Sequence, residues 1–257
     1  MLFAPFFVLA AYMTALYAIA LIRDDNGTAD IGYGIGFIVF TSFTLWTFGT
    51  TQPGLIMTAL VLLWGMRLAI RIGKKNWNKP EDFRYRAWRE VWGTTFYWRS
   101  YLQIYLLQGA VIACVALPVY LSIVRPGEPI GWLFGCGVLL WCIGFLFEVL
   151  GDYQLDAFIK NPENKGKIMM SGLWTYSRHP NYFGEATMWF GMALMATAVS
   201  SAWIFAWASP LLITFLLLKV SGVPLLEKRW EGNPDWESYK ARTSVFIPLP
   251  PRSGTPQ

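Results

Sequence analysis

Charge is scarce in this sequence: 14% of its 257 residues are Asp, Glu, Lys or Arg, and 55% are hydrophobic. A soluble domain carries about a quarter charged residues. A chain of this size also keeps roughly a quarter of its surface in contact with solvent after folding. Such a surface cannot be hydrated with so few charges, so lipid is the solvent that fits. Histidine occurs once, at His179, too few imidazoles for a histidine metal site. The three cysteines, Cys114, Cys136 and Cys142, lie in apolar runs without a Cys-x-x-Cys pair, and read as small apolar packing residues rather than a disulfide framework or metal site. No strand pattern of any length is present, and no Gly-x-Gly-x-x-Gly follows one, which excludes a Rossmann domain. Walker A, Gly-x-Ser-x-Gly and His-Glu-x-x-His motifs are absent as well.

What the chain has instead is long apolar runs. A membrane-spanning helix needs about 20 mostly apolar residues. Seven segments are predicted to span: Leu2–Ile22, Ile31–Phe48, Gly54–Ile72, Leu102–Val124, Ile130–Leu150, Tyr182–Val199 and Ala202–Val220. The first lacks a basic flank and a cleavage site, so a retained helix is expected there rather than a signal peptide. The 14 Trp suit the aromatic belts at the two lipid interfaces. With the N-terminus outside, the inner segments carry eighteen Lys and Arg and the outer segments carry Arg125 alone. This asymmetry predicts an all-α integral membrane protein of seven helices, its C-terminus cytoplasmic. A single membrane domain is expected, with residues 1–125 on the substrate side and 126–257 on the cofactor side. The Pro-rich tail from Pro248 to Pro256 is expected to be flexible.

The chemistry concentrates in Gly172-Leu-Trp-Thr-Tyr-Ser-Arg-His-Pro-Asn-Tyr-Phe-Gly-Glu185, where a polar loop enters the sixth predicted span. Pro180 suits the first helical turn. Arg178, His179 and the backbone N–H groups of that turn would meet at the positive end of the helix dipole, a site suited to phosphate. Asn181 and Glu185 share a face, with Trp189 one turn on, and Gly184 admits another backbone or a planar ligand. A carboxylate such as Glu185 inside a membrane helix suggests function. Glu148, Asp152 and Asp156 repeat every four residues as the fifth span leaves the bilayer; this is either a solvated helix end or a face on which Asp152 accepts from ribose hydroxyls or an amide. The polar, aromatic cluster Glu227-Lys-Arg-Trp to Tyr239-Lys-Ala-Arg242 is expected to be ordered and to cap the cytoplasmic mouth. The basic loop Lys74–Arg99 serves topology and anionic lipid, or a ligand.

On these residues, together with Gly222-Val-Pro-Leu-Leu-Glu227, Arg242-Thr-Ser, Asp30-Ile-Gly-Tyr-Gly, Trp64-Gly-Met-Arg67 and Asp152-Tyr-Gln-Leu, the chain resembles the steroid 5α-reductase superfamily. Within it, the resemblance is to the bacterial group known as DUF1295. It implies a seven-helix, NADPH-dependent reductase of a bacterial inner membrane. Such an enzyme transfers hydride to a carbon–carbon double bond conjugated to a carbonyl, on a lipophilic steroid-like or isoprenoid-like substrate entering from the bilayer. It implies Asp152, Lys167, Asn181 and Glu185 as cofactor contacts, with Arg178, His179, Tyr182, Glu227, Tyr239 and Arg242 adjacent. Membrane lipids are the other expected partners, with no nucleic acid and no metal.

The chain departs from the eukaryotic 5α-reductases in its first half. It has Trp64 where they carry a Tyr, and no Gln-Glu pair on the second helix. A donor near the carbonyl is still required to stabilise the enolate. Asp30 with Tyr33 is the first substitute and Tyr85 the second, while Asp30 as a helix cap is the competing reading. The Arg-His-Pro-x-Tyr pattern also occurs in membrane methyltransferases of the isoprenylcysteine and phospholipid type that use S-adenosylmethionine; those carry Glu-Glu where this chain has Leu226-Glu227. A transporter or lipid-binding protein is a third reading, without the inverted repeats or broken helices that would favour it.

Overall fold

The computed structural model describes residues 1–77 and 79–252. Helix α1 (Ala4–Arg23) is followed by α2 (Gly27–Phe48) and α3 (Gln52–Asn76). Thr51 caps α3 by accepting from the Gly54 N–H at 3.2 Å. Next come α4 (Phe83–Val115) and α5 (Leu117–Val124), bent by 55° between them. Pro118, second in α5, lacks the N–H that would continue α4, which explains the break. Helix α6 (Gly131–Lys160) precedes α7 (Pro180–Val199). The chain ends with α8 (Trp203–Lys228), which closes on a π-helical turn and a short helix, and with α9 (Pro234–Arg242). No strand forms among the described residues, only two isolated bridges.

Five of these helices, α1, α2, α3, α6 and α8, are long and apolar enough to cross a membrane, and α4 with α5 would make a sixth. The chain is an integral membrane protein. Helix α7, read as the sixth of seven spans, has twenty residues but falls outside that set. Several boundaries shift from the sequence reading. The basic loop is largely helical, because α3 runs on to Asn76 and α4 starts at Phe83. Helix α6 extends ten residues past Leu150, to a length of about 45 Å against a hydrocarbon core of about 30 Å. The three cysteines do not pack inside: Cys114, Cys136 and Cys142 are all exposed on the outer faces of their helices. The start of the Pro-rich tail is tied down, with Leu249 N–H donating to Tyr176 O and Arg252 N–H to Arg242 O. Its remainder from Ser253 lies outside the described residues.

The chain divides into two compact units: Met1–Ile130 with Ala196–Ala208, and Gly131–Met195 with Ser209–Gln257. In the first unit, α2 and α3 approach at paired glycines, where a Cβ on Gly65 would lie 2.6 Å from the Gly34 carbonyl oxygen. Trp64 is buried and packs edge-on against Phe37.

In the second unit, α6 and α7 run antiparallel along a glycine seam. Gly137, Gly144 and Gly151 recur every seven residues on α6, opposite Gly191, Gly184 and Asn181 of α7. A Cβ on Gly144 would stand 2.6 Å from Gly184 O, and one on Gly137 2.9 Å from Gly191 O. Helices in lipid gain from such close backbone approach, since apolar side chains gain nothing by leaving the bilayer for one another. Gly184 therefore admits another backbone, that of α6. The seam sets the register that brings Asp152 to Asn181.

Candidate functional site

The loop into α7 is built before the site it carries. Gly172 adopts φ +64°, a left-handed conformation that favours glycine. The turn that follows is held by Leu173 N–H donating to Gln154 Oε1 at 2.9 Å and by the Trp174 indole donating to Gly151 O at 3.1 Å. The C-terminal segment is stapled across it. Tyr239 donates its hydroxyl to Trp174 O, Arg178 N–H donates to Ser244 O at 2.8 Å, and Ser177 Oγ donates to Phe246 O at 2.7 Å. Burial pushes the Tyr239 phenol pKa up, so it stays a neutral donor. The polar cluster is thus ordered, as expected; Trp236 and Tyr239 pack with Ile168 in a local core.

Within this frame the Arg178 side chain is almost fully committed. Its Nε and Nη2 donate to the two oxygens of Glu227 at 2.9 and 3.4 Å, and its Nη1 to the carbonyls of Lys240 and Thr243, both at 3.0 Å. His179 sets Nε2 3.0 Å from the same Glu227, and its ring stacks on Tyr182 at 5.4 Å with 10° between planes. Asn181 donates its amide to Asp152 Oδ1 at 3.1 Å. Asp152 and Glu148 are buried, and Glu185, one turn past Asn181, is half-buried. Two side-chain atoms, His179 Nδ1 and Asn181 Oδ1, are buried without a hydrogen-bond partner.

The sequence profile of a family described as "Protein of unknown function (DUF1295)" matches residues 16–243. The chain belongs to this DUF1295 family. It stands in the steroid 5α-reductase superfamily, as the first two of the following three relatives illustrate. A 3-oxo-5-alpha-steroid 4-dehydrogenase 1 of Bos taurus is 38% identical over 116 residues, 45% of this chain and 42% of that protein. The steroid 5-alpha-reductase DET2 of Gossypium hirsutum is 38% identical over 64 residues, 25% of each chain. A probable O-methyltransferase, ustE of Ustilaginoidea virens, is 35% identical over 75 residues, 28% of this chain and 26% of that one. The chain thus spans less than half the length of the curated relatives it matches here.

The DUF1295 chain gathers most of the residues singled out in its second half: Arg178, His179, Glu227 and Tyr182 in one group, Asp152 and Asn181 in another, with Tyr239 bracing the loop. Lys167 and Arg242 are not drawn in. Both are exposed, and Arg242 sets Nη2 3.7 Å from the Met170 sulfur. In the first unit, Asp30 is not a helix cap. It is the fourth residue of α2, whose first N–H, at Gly27, donates to Asp25 Oδ1 at 2.8 Å. The Asp30 carboxylate instead accepts the Tyr85 hydroxyl at 2.7 Å and Arg84 Nη2 at 3.0 Å. Tyr33 packs its ring edge-on against Phe37. Arg84 was legible only as one of many loop charges, because its partner lies 54 positions away. The glycine seam was legible as a seven-residue spacing, but not its pairing.

Proposed function

We propose that this protein is an NADPH-dependent membrane reductase, acting on a carbon–carbon double bond conjugated to a carbonyl in a lipophilic, steroid-like or isoprenoid-like substrate. The observation that carries the reading is Asn181, whose amide is tied to Asp152 while its carbonyl oxygen is buried without a partner at the first turn of α7. That unsatisfied acceptor fits a nucleotide with amide and hydroxyl donors. The relatives named as steroid reductases supply the reaction class.

Asn181, Asp152, His179, Tyr182 and Glu185 would hold NADPH, which supplies the hydride. Arg178 and Glu227 act as a clamp that positions His179. Reduction places negative charge on the substrate oxygen, and a positioned O–H must stabilise it before a proton reaches carbon. Tyr85 is the better candidate for that donor. Its hydroxyl is held by Asp30, and Asp30 is held by Arg84.

Seven spans, with the N-terminus outside and the C-terminus cytoplasmic, complete the proposal and rest on the loop charges. A soluble nucleotide then arrives from the cytoplasm and an apolar substrate through the lipid. The similarity to a probable O-methyltransferase favours a second reading, S-adenosylmethionine-dependent methyl transfer.

The two are separated by thermal unfolding of the purified protein with NADPH, NADH or S-adenosylmethionine. Ligand at 100 times its dissociation constant stabilises by about 2.7 kcal/mol. NADPH is expected to stabilise most. Stabilisation by S-adenosylmethionine alone would overturn the reductase reading.

A further inference from the structure

Arg99 is the last charged residue before an uncharged stretch that runs to Arg125. It stands on α4 where two kinds of sequence meet. Before it, the helical stretch Phe83–Trp92 is rich in arginine and tryptophan and ends at Gly93, whose φ of +47° interrupts the regular helix. After it, the π-helical turn Tyr101–Leu106 opens the apolar part. Aromatic rings form a ladder along the first part. Tyr85 meets Trp88 at 5.7 Å, Trp88 stacks on Trp92 at 5.3 Å, and Trp92 meets Phe96 at 6.0 Å. The Arg99 guanidinium closes the ladder, 6.0 Å from the Trp92 ring and 5.4 Å from that of Trp98. Side chains with an apolar body and a polar end settle at the level of the lipid headgroups. Tyr97, Trp98 and Leu102 beside Arg99 are exposed, so this surface is open to the bilayer.

The neighbouring arginines are spent on carboxylates. Arg84 pairs with Asp30 and Asp82, and Arg89 with Glu81 and Asp24. Arg99 pairs with no carboxylate among the described residues, and its Nε is buried without a hydrogen-bond partner. A guanidinium carries five N–H donors and no acceptor. The two indoles orient the cation without supplying an oxygen to those donors. The covered Nε fixes the fork and leaves Nη1 and Nη2 to find an acceptor. In the headgroup layer the acceptor shaped for such a fork is a phosphodiester. Charge chooses among headgroups. From Lys74 to Arg99, seven Lys and Arg stand against Glu81, Asp82 and Glu90. An anionic headgroup gains from that whole segment, whereas the amine of a zwitterionic one is repelled by it.

We infer that Arg99, seated against Trp92 and Trp98, is a binding site for the phosphate of an anionic phospholipid. The inference rests on neither the reductase reading nor the orientation of the chain. It gives the expected partnership with membrane lipids a definite residue.

Native mass spectrometry of the purified full chain tests it, with phosphatidylglycerol or phosphatidylcholine of the same acyl chains titrated in detergent. Phosphatidylglycerol is expected to bind the unaltered protein more tightly. Arg99→Gln is expected to weaken it about tenfold, and Arg86→Gln, at an exposed position earlier on α4, to leave it unchanged. Unchanged affinity in Arg99→Gln overturns the inference. Equal losses in the two variants overturn it as well, since the basic segment would then attract lipid without a site. Excess inorganic phosphate is expected not to displace the lipid; displacement would make the site one for a soluble anion and defeat the proposal. Should Arg99→Gln not fold, the unaltered protein decides, because equal affinity for the two lipids is incompatible with the inference.

Discussion

At the scale of single residues, the two units each hold a small polar assembly, partly exposed at Asp30 and Arg84 in the first unit and more deeply buried around Arg178 in the second. Arg178 spends at least four donor contacts on Glu227 and two backbone carbonyls, so its guanidinium is held in place by the protein itself. A planar, bidentate guanidinium suits that duty better than an ammonium would. In the Asp30–Arg84–Tyr85 group the phenol is the proposed donor. Tyr85→Phe keeps the ring and removes the 2.7 Å bond to Asp30. Turnover is expected to fall by about 10²-fold or more, the usual contribution of a general acid, with NADPH affinity intact. Tyr33→Phe is expected to change turnover less. Steady-state rates of the two variants, with binding measured in parallel, check the order; equal losses would remove Tyr85 from its special place.

At the scale of elements, the α6–α7 seam decides whether Asp152 and Asn181 meet at all. A methyl at position 191 would stand 2.7 Å from Gly137 O and from Trp141 N, both backbone atoms that cannot swing aside. Gly191→Ala must therefore push the helices apart, at about 1–3 kcal/mol or more. Gly135, on the same helix as Gly137 but with nothing within 4 Å of its would-be Cβ, is the control, and Gly135→Ala is expected to leave stability unchanged or slightly raised. Melting temperatures in detergent, with and without NADPH, test the pair. Loss confined to Gly191→Ala is the expected result, and the nucleotide-induced shift should shrink with it.

At the scale of the whole molecule, the loop charges make a prediction about sidedness. Single cysteines introduced at Lys165, after α6, and at Glu128, before it, are expected to label from opposite faces in intact cells: Glu128→Cys from outside and Lys165→Cys only after the membrane is opened. Both positions are exposed and neither lies in a spanning helix. Labelling of both from one side would defeat the proposed topology. The native cysteines sit inside α4 and α6, where lipid shields them from a water-soluble reagent.

Composition alone determined the solvent of this protein, because too few charges remain to hydrate a surface of its size. Period and length of the apolar runs determined where most of the helices lie. The Arg178–Glu185 motif located the polar site, since Pro at a helix start and a carboxylate within a membrane helix are local features. What needed the tertiary structure was every pairing across distance. Glu227 lies 49 residues from Arg178, and Arg84 lies 54 from Asp30. No local periodicity encodes which face of one helix meets another. The same holds for the sense of the site. The sequence places Asn181 on the first turn of a helix, but only the packed structure sets its amide against Asp152 Oδ1 at 3.1 Å, because a side chain that can turn either way takes its polarity from its neighbours.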